Sequence, residues 1–175
     1  MSDITFSVDY GNVSDKEAQI VRLLAEEYFK TEGDSEQAKV NDENRNWIHE
    51  NIPECRNVIK DGEKIVGFTL IFPCKKETMN LFLNNDITEE ELLRIMKKEL
   101  NYKNFDSIYL CSTVIIEEYR RKGLALKAFI KSIEKIISFS KNKKPNLFYW
   151  GFSEEGKRLS EKVAKETGLE LKYRR

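Results

Sequence analysis

The chain has 175 residues, of which 40% are hydrophobic and 34% charged. That length and balance suit one soluble domain with a sizeable core and exclude a disordered chain. Lys+Arg and Asp+Glu both count 30, so the net charge is zero, which argues against a general nucleic-acid or membrane-surface binder.

Charge is unevenly spread. Residues 117–144 hold nine Lys/Arg against three Glu, and residues 32–54 hold seven Asp/Glu against two Lys/Arg. Cys55, Cys74 and Cys111 are scattered with no CxxC pair, which points to a reduced, cytoplasmic setting. His49 is the single histidine, so a zinc site lacks ligands and no metal is expected. No segment has the length and apolarity of a membrane span or the regions of a signal peptide.

In chain order, "ITFSVDY" (4–10) alternates Ile4, Phe6 and Val8 with polar neighbours and predicts a strand. Ser14 and Glu17 form a capping box before a helix carrying Ile20, Val21, Leu24, Ala25 and Tyr28. Residues 31–41 read as a loop, and "NDENRNWIHENIP" as a short helix stopped by Pro53. "CRNVIK" and "EKIVGFTLIF" flank Asp61-Gly62, a hairpin signal. Thr88 and Glu91 form a second capping box ahead of a helix with Leu92, Leu93, Ile95, Met96 and Leu100. "SIYLCSTVII" (107–116) reads as a central strand covered on both faces. From about residue 120 a helical stripe runs through Leu126, Phe129, Ile130, Ile133, Ile136 and Ile137. "NLFYWGF" (146–152) predicts a strand, Ser153 caps the helix beginning "EEGKRLSEKVAKE", and "LELKY" is a last strand. One hairpin plus βαβ crossovers predicts an α/β domain with a mixed central sheet and helices on both faces, occupying residues 1–175.

The junction "EEYRRKGLALKAF" (117–129) concentrates positive charge and a glycine where a helix starts after a buried strand. A helix N-terminus has free N–H groups and partial positive charge, so it binds phosphates, and glycine lets the ligand approach the backbone. The chain contains neither a P-loop nor a GxGxxG pattern. A solvated basic helix start with an incidental glycine is the plain alternative.

"VIIEEYRRKGLALKAF" resembles the central signature of the GNAT superfamily of N-acyltransferases: a strand, a short turn, then Gln/Arg-x-x-Gly-x-Gly/Ala. Arg120, Gly123 and Ala125 occupy its three fixed positions, and "VIKDGEKIVGFTLI" looks like the family's second and third strands. The resemblance implies a GNAT-like fold in which strand 107–116 splays from strand 146–152. It implies that acetyl-CoA is the co-substrate. Its pyrophosphate would lie on the amides of Arg121, Lys122, Gly123, Leu124 and Ala125, and its pantetheine would run along the strand ending at Ile115. It implies acetyl transfer to a primary amine by direct attack. The acidic stretch 32–54 lies near the implied acceptor site and suggests a cationic acceptor. A homodimer stays compatible with all of this.

The chain departs from the family at two positions. Tyr109 stands where many members have a glutamate base, and Ser160, or Ala164 in the alternative alignment, stands where many have a tyrosine acid. Tyr109 and Ser160 are therefore the catalytic candidates, with a water chain assisting and no single indispensable base. Residues 74–106 form an insertion with a helix of its own. His49, Trp47, Trp150 and Cys111 are weighed as site residues, but a polar helix position, core aromatics and a structural thiol account for them. A noncatalytic acyl-CoA-binding or interaction module with the same fold is the competing function.

Overall fold

The computed structural model describes residues 3–11, 13–29, 37–38, 41–151 and 153–174. Its elements are β1 (Ile4–Phe6), α1 (Ser7–Tyr10), α2 (Asp15–Phe29), α3 (Asp42–Asn51), β2 (Arg56–Asp61), β3 (Lys64–Cys74), α4 (Lys76–Leu83), α5 (Glu89–Glu99), β4 (Ser107–Ile115), α6 (Leu124–Phe139), β5 (Asn146–Trp150), α7 (Glu154–Thr167) and β6 (Leu171–Arg174). The strands form one six-stranded sheet in sequence order, antiparallel from β1 to β4 and parallel from β4 to β6.

Alternation along the strands builds two layers of helix. Val58, Phe68 and Val114 are lateral neighbours on one face, where Val21 and Ala25 of α2 cover them. Ile59 and Val66 face the other side with Phe6, beneath Ala128 of α6. The largest cluster gathers around Tyr109, whose ring stacks on Phe148 at 5.0 Å and meets the edge of Phe82 at 5.1 Å. Among the described residues no helix is long and apolar enough to cross a membrane.

The expected mixed α/β sheet is present, and three elements differ from expectation. The first strand stops at Phe6, and Ser7–Tyr10 is helical. The buried Ser7 hydroxyl accepts from the Val58 amide at 2.8 Å and donates to the Arg56 carbonyl at 3.3 Å. It thereby takes over the groups that a longer β1 would have paired. The stripe expected from about 120 becomes helical only at Leu124, because Arg121 (φ 63°) and Gly123 (φ 73°) are left-handed and break the ladder. The 74–106 insertion holds two helices, and the unforeseen α4 supplies Met79 and Phe82 to the core. The capping boxes at Ser14 and Thr88 and the Ser153 cap form as expected.

β3 carries an extra residue opposite β2, so Val66 and Gly67 together oppose Ile59. A Cβ on residue 67 would fall inside the van der Waals shell of the Val114 carbonyl oxygen and 2.7 Å from Ile115 Cδ1. Gly67→Ala should therefore destabilise the fold by about 1–3 kcal/mol, read as a lower urea midpoint. An unchanged midpoint would mean that β4 yields without cost.

Candidate functional site

β4 pairs with β3 from Ser107 to Ile115, but its parallel ladder with β5 covers only Ser107–Tyr109 opposite Asn146–Phe148. Just beyond the last parallel pair, Cys111 is the extra residue of a bulge: Leu70 pairs with Ser112 and Ile71 with Leu110. β4 and β5 then diverge, the arrangement that the family resemblance implies. The Ile116 amide donates to Val66 on β3, so the neighbouring Ile115 amide turns the other way, into the gap.

The gap is a groove of about 380 Å³, lined by Leu110–Ile115, Arg120, Tyr149, Trp150 and Ser160, among others. Arg120 closes one end: its Nε donates to the Ile115 carbonyl at 2.9 Å, and its guanidinium lies 5.6 Å from the Tyr28 ring centre. Past Arg120 the chain passes through the left-handed Arg121 and Gly123 into α6. Such alternation makes a concave nest of amides. Among the described residues, the N–H groups of residues 121–126 find no acceptor. Arg121, Lys122 and Gly123 are exposed, and Leu124 and Ala125 are half-buried. Of the cofactor-side candidates, Ile115 and Arg120 line the groove, and residues 121–125 follow Arg120 outside its lining.

On the α2 face a second cavity of about 320 Å³ lies between α2, α3, α5 and the sheet. Its walls are mainly apolar, with Val21, Ala25, Ile48, Phe68, Phe72 and Leu93. Cavity and groove share Tyr28, Phe29, Cys111 and Ser112, so they meet at the β4 bulge.

The cavity holds a carboxylate that the sequence reading missed. Glu89, 6% exposed, lines it. The Tyr109 hydroxyl donates to Glu89 Oε2 at 2.5 Å, and the Ala38 amide donates to Oε1 at 2.8 Å. Burial raises the Glu89 pKa above the ordinary carboxylate value, while those two hydrogen bonds pull it partly back. A signal existed: Glu89, Leu92, Leu93 and Met96 follow i, i+3, i+4, i+7, which puts Glu89 on the buried stripe.

Tyr109 itself is 1% exposed and lines neither hollow. Burial first, then the charge of Glu89, push its phenol well up, so it holds its proton and orients the carboxylate. Ser160 is buried on the groove wall. Burial likewise pushes the Cys111 thiol well above its ordinary value, which removes it as a nucleophile. His49 Nδ1 accepts from Arg56 Nη2 at 3.0 Å. Trp47 packs under Lys97, and Trp150 packs between Arg174 and Phe82. Among the described residues no cluster of His, Cys, Asp or Glu suits a metal ion.

None of the described acidic residues in 32–54 lines these walls. Asp34 and Glu36 lie outside the described residues. Asp42 is engaged by Arg22 at 3.4 Å and Arg45 at 3.7 Å, and Glu43 is exposed.

No protein-family model matches the chain, and no curated protein matches it.

The raised pKa of Glu89 has a signed consequence. A carboxyl whose folded pKa lies above its unfolded value stabilises the fold fully below that unfolded value, near 4.5, and loses the contribution as pH rises through the folded pKa. Glu89→Gln keeps the shape, and its amide can donate to the Tyr109 oxygen while Oε1 accepts from Ala38. The variant should melt higher than the parent at pH 8 and show no such advantage at pH 4. An equal difference at both pH values would mean that Glu89 is not held in a desolvated site.

Proposed function

We propose that the chain is an acetyl-CoA-dependent N-acetyltransferase of GNAT-like fold, transferring an acetyl group to a primary amine by direct attack. The observation that carries the reading is the meeting of two hollows at the β4 bulge: a groove ending in unpaired amides, and a mainly apolar cavity holding one buried carboxylate.

The groove fits an extended thioester. The inward-turned Ile115 amide can pair with a pantetheine arm as an added strand would. The nest at Arg121–Ala125 and the first turn of α6 suit a pyrophosphate, with Arg121 and Lys122 adding charge. Amides near the bulge polarise the acyl carbonyl oxygen.

Glu89 takes the base role that Tyr109 cannot fill. Desolvation moves its pKa toward neutrality, where a general base works best. Glu89 removes the ammonium proton, directly or through one water. The nitrogen attacks the acyl carbon, the C–N bond forms, the C–S bond breaks, and the leaving thiolate takes the second nitrogen proton. A thiol of pKa near about 8.5 departs without a dedicated acid, so Ser160 shapes the groove wall and supplies a hydrogen bond there. Holding both partners across the bulge supplies much of the acceleration.

Coenzyme A should raise the melting temperature by mass action. Gly123→Val should remove that shift, because a β-branched residue resists the left-handed conformation and covers the amides, while nothing lies within 4 Å to clash with its Cβ. A normal shift in this variant would displace the phosphate site. Free-thiol release from acetyl-CoA with a panel of amines tests the chemistry. Glu89→Gln should lower kcat by about 10²–10⁴-fold and abolish the acid-limb inflection of the pH profile. Coenzyme binding with no turnover on any amine would instead mark a noncatalytic acyl-CoA-binding module.

A further inference from the structure

The cavity that holds Glu89 also holds a positive charge that has no carboxylate in contact among the described residues. Arg56 lines it and is 4% exposed. Its Nη2 donates to His49, but its buried Nε has no hydrogen-bond partner, and among the described residues no carboxylate lies within salt-bridge distance. Arg45 lines the same cavity. Its Nε is also buried without a hydrogen bond, and its contact with Asp42 is long, at 3.7 Å. Burial, and then the charge of Arg45, lower the Arg56 pKa to about 10 against a smaller opposing effect of Glu17, so Arg56 remains cationic at neutral pH. A buried guanidinium beside another guanidinium is unfavourable without an anion. The planar fork that each presents matches a carboxylate.

The sheet register relates this charge to the reaction centre. Arg56 pairs with Leu70, and Leu70 pairs with Ser112 beside the bulge. The three form one row across β2, β3 and β4, spanning two strand spacings, roughly 10 Å. Phe68, Leu70, Phe72 and Leu93 line the cavity along it. A volume of about 320 Å³, at the low end of ligand pockets, admits a ligand of amino-acid size.

We propose that the acceptor is a small amine that also carries a carboxylate, an apolar amino acid, with its carboxylate clamped by Arg56 and Arg45 and its amine turned toward Glu89 and the β4 bulge. Only the fate of the amine rests on the acyltransferase reading; the clamp stands without it. In the transfer the acceptor carboxylate is unchanged. Its ammonium nitrogen gains the acyl carbon and loses two protons, one to Glu89 and one to the departing thiolate, and the product is an N-acyl amino acid plus the free thiol. The expected cationic amine becomes one end of a zwitterion.

The test pairs leucine, phenylalanine and methionine with the amines that lack only the carboxylate: isoamylamine, phenethylamine and 3-(methylthio)propylamine. Calorimetry on the full chain measures binding, and thiol release from acetyl-CoA measures turnover. At least one amino acid should bind more than about twentyfold tighter than its amine, the loss expected when a buried charge pair is left incomplete. Arg56→Met and the more exposed Arg45→Met should each erase most of that preference. Arg45→Met keeps the test valid if Arg56→Met does not fold. Equal binding of every amino acid and its amine, or a preference that survives Arg45→Met and a folded Arg56→Met, would overturn the clamp. Arginine-dependent amino-acid binding without thiol release from any acceptor would keep the clamp and remove the acyltransferase reading. Equal binding and equal turnover of amino acids and amines would do the reverse.

Discussion

β4 follows β3 along its whole length but follows β5 for only three residues, and the rest of the site depends on that mismatch. The three shared pairs are held by an aromatic knot in which Tyr109 stacks on Phe148 and Phe82 closes on both. Immediately beyond, the extra residue Cys111 bends β4 away. Strand amides without a partner strand need water or a ligand, so the divergence creates a binding groove as a direct consequence of sheet geometry. The turn after β4 then places the left-handed Arg121 and Gly123 at the groove mouth.

On the opposite side of the bulge, one physical effect acts on two kinds of charge. Desolvation raises Glu89 and lowers Arg56. Each is the direction that brings the group closer to neutrality, and each records a charge held out of water inside an apolar cavity. Neither is paired with the other: among the described residues Glu89 is engaged by Tyr109 and Ala38, and Arg56 by His49. A cavity built this way is unfavourable when empty and selective when filled.

The segment 74–106 contributes to both the aromatic knot and the cavity. α4 brings Phe82 to the aromatic knot, and the first turn of α5 brings Glu89 to the cavity. Thr88 and Glu91 cap that turn reciprocally, which leaves the Glu89 side chain free to point inward. Tyr109, buried in the central strand, then reaches the acid with its hydroxyl, so a phenol on β4 and a carboxylate on α5 act as one unit.

Element type and order were legible in the sequence because they depend on local patterns. Alternation marked the strands, apolar stripes marked α2, α5 and α6, and Ser14, Thr88 and Ser153 marked helix starts. The charged, glycine-bearing junction at 120–125 was legible for the same reason, since its chemistry resides in consecutive residues. Where β1 ends was decided by a hydroxyl, Ser7, bonding across 49 and 51 residues to β2. The carboxylate proposed as base was placed in the same way: reading β4 alone shows Tyr109, and only packing brings Glu89 to its hydroxyl from 20 residues away. The isolated charge of Arg56 is likewise a property of what surrounds it, because a sequence names the charges but not which of them are left without a partner. Local hydrogen bonding and periodicity are encoded over a few residues, whereas burial and charge pairing exist only once distant segments meet.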